Sequence, residues 1–246
     1  MKASHSIFGL AVALGAATPA LAVDCASFPN STITTFVNED VFSSETTCTI
    51  GRTGYVNGNV YQSGLGNLVV RGWVNGGIEE SGAGSLSLLA GANVNGDVTE
   101  LDGGNIVIRG GARLGGTVTE QGAGSVTVTV DLPGLVKGDI YENGSGSVVL
   151  RTVTGDFEGG VNEADAGDVN ATVAAGTVFK GNIEEELLGN VSVFVDGRFE
   201  GNIVERGDGN LSTSGSGTVA GNSEHELPGT CTNAVAMFEG SACSPL

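Results

Sequence analysis

The chain has 246 residues, of which 42 are glycine and only five are proline, and its formal net charge is −18. High glycine content without a collagen-like period, beside many valines and isoleucines, indicates strands joined by tight turns and excludes a disordered or collagenous chain. Basic residues are few and scattered, so no nucleic-acid partner is expected.

The first 22 residues are predicted to be a secretory signal peptide. An apolar run at residues 7–17 follows a lysine, and Ala20-Leu21-Ala22 has the small-x-small pattern of a signal-peptidase site. The alternative is a buried N-terminal helix. The run is too short to span a bilayer and no later run is longer, so we expect no transmembrane segment in the mature chain. The short signal favours a Gram-negative bacterium, with the protein in the periplasm, at the cell surface or outside the cell.

Four cysteines lie near the two ends of the mature chain: Cys25 and Cys48, then Cys231 and Cys243. Disulfides are the expected state in an oxidising compartment. Three pairings are possible, and we favour Cys25–Cys48 with Cys231–Cys243 because the opposite ends of a long rod could not meet.

Residues 55–222 are predicted to be a single all-β solenoid of about nine stacked coils of roughly 20 residues each. Apolar residues recur four, twelve and fourteen positions into each copy, which gives the period of two that is typical of strands. One copy cannot bury its apolar face, but copies stacked in register form a continuous core, in a rod roughly 40 Å long. The alternative is an ordinary sandwich or barrel. The copies begin at Val56, Val74, Val94, Leu114, Val136, Phe157, Phe179, Phe199 and Val219.

The segments outside the repeats, residues 23–54 and 223–246, are predicted to be disulfide-stapled caps. The terminal coils of a solenoid expose unpaired backbone, and caps there prevent end-to-end association. The sequence therefore favours a finite particle over an endless fibre.

Glycine occupies two fixed positions in the repeat, one in the first strand and one in the arc that follows it. Such positions need positive φ or a close approach of neighbouring backbones. The arc glycines are Gly66, Gly84, Gly104, Gly124, Gly146, Gly167, Gly189 and Gly209.

A column of glutamates, here called the glutamate ladder, stands six residues into successive copies. Stacked ionised carboxylates in an apolar core would be very costly, so we expect the strand to end there and the ladder to lie at a solvated corner. It would then be either an acidic edge that keeps the rod soluble or a row of Ca²⁺ ligands. The ladder consists of Glu80, Glu100, Glu120, Glu142, Glu163, Glu185 and Glu205, with Gln62 before it and His225 after it.

Catalysis has little support in the sequence. His225 is the one histidine of the mature chain, and the cysteines are expected to be oxidised, so a nucleophile–histidine pair has few candidates. Paired glutamates could serve a carbohydrate-active enzyme, but no coil carries a long insertion that would wall a cleft. We therefore predict no enzyme activity and no cofactor other than Ca²⁺.

The repeat resembles the curlin repeat of bacterial surface amyloids, which carries Q-x-G-x-x-N after an alternating strand. Gln62-Ser63-Gly64-Leu65-Gly66-Asn67 matches this motif, and Glu142-Asn143-Gly144-Ser145-Gly146-Ser147 is a polar variant of it. The resemblance implies a strand–arc–strand solenoid in extracellular fibres or biofilm matrix. Most copies have glutamate where curlin has glutamine.

The elements Val136-Lys137-Gly138-Asp139-Ile140 and Phe179-Lys180-Gly181-Asn182-Ile183 are similar to those of bactofilin solenoids. This second resemblance implies a shared coil geometry. Together, the sequence predicts a structural or adhesive protein of the bacterial surface or matrix. Its expected partners are itself, other surface proteins or glycans. A Ca²⁺- or glycan-binding extracellular module is the alternative.

Overall fold

Alternating apolar residues build the chain into a parallel β-solenoid of about 11 turns, with 3% helix. The computed structural model describes residues 22–132, 134–226 and 228–245. The predicted all-β solenoid is confirmed. The predicted signal peptide lies outside the described residues except for Ala22.

Each turn contributes strands to three parallel rows. Row 1 consists of Val23–Asp24, Val41–Ser44, Val60–Gly64, Ile78–Gly82, Val98–Glu100, Val118–Glu120, Ile140–Glu142, Val161–Glu163, Ile183–Glu185, Ile203–Glu205, Ser223–His225 and Ser244–Pro245. Row 2 consists of Thr32–Ile33, Cys48–Ile50, Leu68–Val70, Leu86–Leu88, Ile106–Ile108, Val126–Val130, Val148–Thr152, Val169–Val173, Val191–Val195, Leu211–Ala220 and Cys231–Phe238. Row 3 consists of Phe36–Val37, Tyr55–Val56, Trp73–Val74, Asn93–Val94, Arg113–Leu114, Leu135–Lys137, Phe157–Glu158, Val178–Lys180 and Arg198–Glu200, and the end of Leu211–Ala220 continues it.

Equivalent residues of successive coils are paired in register. In row 1, Val98 pairs with Val118 and Glu100 with Glu120, so each column of the repeat stacks on itself. β-branched residues suit this arrangement because they pack well on a pleated surface. Because equivalent strand residues stay in register, differences in coil length fall in the turns between the strands.

The apolar columns face the interior and form one core along the rod. The residues that begin the copies, from Val56 to Val219, are all buried. In the second half of the rod this column is aromatic: Phe157, Phe179 and Phe199 stack with ring centroids 4.9 and 4.6 Å apart. The core therefore continues from coil to coil without a break between separate domains.

The predicted caps contribute coils to the same sheets, so the solenoid extends beyond residues 55–222. Val23 pairs with Val41, and the strand Cys231–Phe238 pairs with Leu211–Ala220. Ile33 and Ile50 are buried in the first turns although they lack the V-x-G-x-V element. The alternation of apolar and polar residues along the strands is therefore sufficient to add turns to the solenoid. At the N-terminal end, two single-turn 3₁₀ helices, Cys25–Ser27 and Pro29–Ser31, separate row 1 from row 2.

Both predicted disulfides are confirmed. Cys25 is bonded to Cys48 with a Cα–Cα distance of 5.9 Å, and Cys231 to Cys243 with a distance of 5.6 Å. Each bond joins two successive turns at one end of the rod, where backbone pairing is available from one side only. The disulfides therefore hold the turns that are most prone to fray.

We expect the variant with both Cys25→Ala and Cys48→Ala to lose about 3 kcal/mol of unfolding free energy, because the unfolded chain regains the entropy of a closed loop. The native Cys231–Cys243 bond closes a shorter loop than Cys25–Cys48, and its half-buried sulfur atoms leave a smaller cavity when they are removed. The variant with both Cys231→Ala and Cys243→Ala should therefore lose less unfolding free energy. Urea unfolding of both variants measures this order. A larger loss at the C-terminal pair would contradict it.

Within the described residues, no helix has the length and apolar character needed to cross a membrane.

Candidate functional site

The glutamate ladder lies inside the solenoid, so its predicted position at a solvated corner is wrong. All seven side chains, Glu80, Glu100, Glu120, Glu142, Glu163, Glu185 and Glu205, are 0% exposed. The row 1 strands run on to the glutamate, and strict alternation turns its side chain inward beside the valine two residues earlier. The structure thus brings all seven together in one buried column.

The arc after each strand explains why a carboxyl group is tolerated there. The Oε1 atom of Glu100 accepts hydrogen bonds from the backbone N–H groups of Asp102, at 3.2 Å, and Gly104, at 3.0 Å. The same pair of bonds, to the residues two and four positions on, recurs at the ladder residues Glu120, Glu142, Glu163, Glu185 and Glu205. Buried N–H groups of a tight arc need acceptors, and the glutamate provides one for two of them.

The arc glycine is required by the close approach of the coils. A Cβ atom on Gly104 would lie 1.6 Å from the carbonyl oxygen of Gly84 in the preceding coil. At Gly124 and Gly167 the corresponding distances are 1.6 and 1.5 Å. The spacing E-x-x-x-G therefore describes one structural unit, in which the glutamate holds the arc and the glycine lets it stack.

The other carboxyl oxygens of the ladder are buried and have no hydrogen-bond partner among the described residues. These atoms are both carboxyl oxygens of Glu80 and the Oε2 atoms of Glu100, Glu120, Glu142, Glu163, Glu185 and Glu205. A buried carboxylate oxygen without a donor is costly, whereas a protonated carboxyl group carries no charge. The ladder is therefore a column of neighbouring buried carboxyl groups whose environment favours the neutral form.

Burial dominates the electrostatics of the ladder. It raises the pKa of Glu80 to about 8, with further contributions from Glu100 and Asp102. Burial also raises the pKa of Glu142 to about 9, with further contributions from the neighbouring carboxyl groups of Glu120 and Glu163. The pKa values of the ladder residues Glu100, Glu163 and Glu205 are likewise raised from the ordinary value, chiefly by burial. Protons thus remain in the column at neutral pH, which removes much of the repulsion between its rungs.

Polar side chains that are not carboxyl groups end the column. Gln62 precedes Glu80 in register, and its Nε2 donates to the carbonyl oxygen of Ser63. At the other end, Nε2 of His225 lies 3.1 Å from Oε2 of Glu205 and 3.3 Å from the carbonyl oxygen of Gly209. His225 is buried in this position and takes part in the ladder.

We expect Glu163→Leu to lower the unfolding free energy by about 2–4 kcal/mol at acidic pH, because two backbone N–H groups lose their acceptor. Glu163→Gln keeps an oxygen in the same place and should stay close to the parent under the same conditions. Urea unfolding of the two variants separates hydrogen bonding from packing. Equal losses would contradict the role of Glu163 as an acceptor for Asp165 and Gly167.

The predicted Ca²⁺ ligands do not line an open edge, since the ladder faces the interior. In the part of the chain that the structure describes, no group of three or more histidine, cysteine or acidic side chains is arranged to hold a metal ion. The ladder oxygens that do have hydrogen-bond partners accept from backbone N–H groups of the arcs, so those oxygens are already occupied by donors.

Two features escaped the sequence-based interpretation. One is the hydrogen-bonding unit itself, which the constant spacing of glutamate and glycine columns could have revealed. The other is a surface depression lined by Arg52, Arg71, Trp73 and Arg113. The sequence does contain a sign of this depression: the copies at Val56 and Val74 are more closely spaced than the later ones, so one turn between strands is shorter than its neighbours.

Comparisons of this chain with protein-family models, with curated proteins and with solved structures give no match.

Proposed function

We propose that the chain is an exported, non-enzymatic structural or adhesive protein of a bacterial cell surface or extracellular matrix. The observation that carries this proposal is the regular stack of about 11 turns. The turns between paired strands are short throughout the described residues, so the rod presents ladders of repeated side chains. A surface of this kind suits repeated, extended contacts with a matrix.

The two disulfides indicate an oxidising environment, either extracellular or periplasmic. Export by the segment at residues 1–22 is part of the proposal. It agrees with the acidic, lysine-poor composition of the chain, which keeps a protein soluble and repels copies from one another.

A non-enzymatic role is supported by where the titratable groups lie. General acid–base catalysis needs a carboxyl group or imidazole within reach of a substrate. The ladder glutamates and His225 are buried; six of the glutamates accept hydrogen bonds from the arc backbone, and His225 lies beside Glu205. We infer that these buried groups stabilise the rod.

Expression of the complete chain in a Gram-negative host, followed by cell fractionation, tests export. The expected result is a processed chain outside the cytoplasm with all four cysteines oxidised. Retention of an unprocessed, reduced chain in the cytoplasm would contradict the proposal.

Light scattering and electron microscopy of the purified, oxidised protein, with and without Ca²⁺, test the assembly state. Discrete rods unaffected by Ca²⁺ are expected, since both terminal turns are covalently held. Fibres of stacked rods would overturn the finite particle and favour a curlin-like matrix polymer. Assembly only with Ca²⁺ would favour the calcium-binding alternative.

A further inference from the structure

A depression of about 570 Å³ lies on the outer surface of the N-terminal half, between rows 2 and 3. It is caused by a difference in turn length. Residues 71–72 connect row 2 to row 3 in this coil, whereas residues 51–54 and 89–92 make the same connection in the adjacent coils. The shorter connection leaves a recess between two longer ones, of a volume typical of ligand sites.

One wall of the depression is formed by an indole ring. Trp73 is 48% exposed, and Tyr55 stacks on one of its faces with ring centroids 6.1 Å apart and planes inclined by 18°. The next residue in the column is Asn93, and the floor beyond it is formed by small residues such as Ala90 and Gly91. On the side away from Tyr55, the half-exposed indole of Trp73 is therefore followed by a smaller side chain and borders the depression.

Three arginines line the same depression: Arg52, Arg71 and Arg113. None of the three lies within 4.0 Å of a carboxylate among the described residues, whereas Arg198 and Arg206 both form salt bridges. Arg109 and Arg151 likewise form no salt bridge among the described residues, but Arg52, Arg71 and Arg113 are the arginines that line one recess together. Cations held together in this way favour an anionic ligand.

We propose that this depression, the Arg–Trp depression, binds an acidic polysaccharide, with a pyranose ring on Trp73 and sugar carboxylates on the arginines. A guanidinium group matches the geometry of a carboxylate and can bind it through two parallel hydrogen bonds. An aromatic face supplies apolar contact to the C–H face of a sugar ring, as it does for other flat apolar groups. The combination recognises a ring and a charge together.

The charge of the whole chain selects among polyanions. Nucleic acid carries one charge per about 1.7 Å of duplex and would be repelled by the net negative charge of the chain. A polyuronate has one carboxylate per sugar ring, so its charges are more widely spaced. Screening limits the surrounding repulsion to about 8 Å at physiological ionic strength, and the three arginines then dominate locally.

This inference deepens the proposed adhesive role by naming the partner. Its test uses purified protein and does not depend on export or on assembly, so either proposal can fail without the other.

Isothermal titration calorimetry of the full, oxidised chain with oligogalacturonate measures the interaction. Binding is expected at physiological ionic strength, and a neutral galactan oligomer of the same length should bind at least about tenfold more weakly, which corresponds to roughly 1.4 kcal/mol. The same titration with duplex DNA and with polyphosphate distinguishes binding of an acidic sugar from binding of any polyanion.

Variants connect the binding to the site. Arg71→Gln and Trp73→Ala should each raise the Kd about tenfold or more, while Trp73→Phe, which keeps an aromatic face, should have a smaller effect. Arg151→Gln removes the same charge from an exposed position outside the depression and should leave the Kd within about twofold. Thermal unfolding of each variant confirms that the fold is retained.

Absence of binding to oligogalacturonate would overturn the proposal, as would equal affinity for the neutral oligomer. An equal loss in Arg71→Gln and Arg151→Gln would show attraction to overall charge and would also overturn it. Preference for DNA or polyphosphate would assign the arginines to a different class of ligand.

Discussion

The unfolding free energy of this protein is expected to be greatest below about pH 4.5 and to fall as the pH rises towards 9. In the unfolded chain, glutamates release their protons near the ordinary value of 4.5, whereas in the fold Glu80 and Glu142 keep theirs to about pH 8 and 9. Between these values the folded chain binds more protons than the unfolded chain, so every rise in pH favours unfolding.

The expected loss amounts to several kcal/mol, since one pKa unit corresponds to about 1.4 kcal/mol. This direction is opposite to that of proteins whose carboxylates are stabilised in ion pairs, which lose stability on acidification. Urea unfolding at a series of pH values measures the slope. A stability maximum near neutral pH, with loss below it, would contradict a protonated ladder.

Two adjacent residues provide a matched control for this pH dependence. Glu80→Gln removes a buried ladder carboxyl, and Glu79→Gln removes an exposed one from the same strand. Both variants remove one carboxyl group from the same strand, but only Glu80→Gln should flatten the slope between pH 5 and 8, because only Glu80 keeps its proton in the fold over that range. Equal slopes in the two variants would attribute the effect to surface repulsion.

The second large effect is expected at the arc. Gly104→Ala should either prevent folding or lower the unfolding free energy by more than about 4 kcal/mol, because its Cβ would lie 1.6 Å from the carbonyl oxygen of Gly84. The coils would have to separate there, which would also draw Glu100 away from the arc N–H groups. Unfolding in urea, or the yield of folded protein, measures the loss.

Gly103→Ala is the natural control for this variant. An added Cβ at Gly103 has nothing within 4 Å, and the residue is exposed. Its substitution should change stability by no more than about 1 kcal/mol, with a gain possible through the smaller entropy of the unfolded chain. Similar losses in the two alanine variants would contradict close coil stacking at the arc.

Much of the fold could be predicted from the sequence because each column of the repeat has a single physical role. The valine and phenylalanine column from Val56 to Val219 requires burial, and only stacking in register provides it. The disulfide pairing could be predicted because cysteines at opposite ends of a long rod are too far apart to be bonded. The extension of the solenoid into the first and last turns was missed because strand alternation persists there after the glycine signature has gone.

The glutamate ladder could not be placed correctly because the argument from charge assumed ionised carboxylates. Burial of seven charges would be prohibitive, but burial of carboxyl groups that keep protons and hold backbone N–H groups is not. The protonation state is a property of the assembled column, since each carboxyl group depends on its neighbours above and below. The Arg–Trp depression was missed for a related reason, because it depends on one shortened turn between two longer ones.

The most direct test of this account is a ¹³C NMR titration of the glutamate side-chain carboxyl carbons in the folded protein, with Glu142→Gln used for assignment. The account predicts a set of buried carboxyl groups that remain protonated at neutral pH, with Glu80 titrating near 8 and Glu142 near 9. Titration of every glutamate close to 4.5 would contradict it, because the ladder would then be ionised and could not occupy the interior of the solenoid.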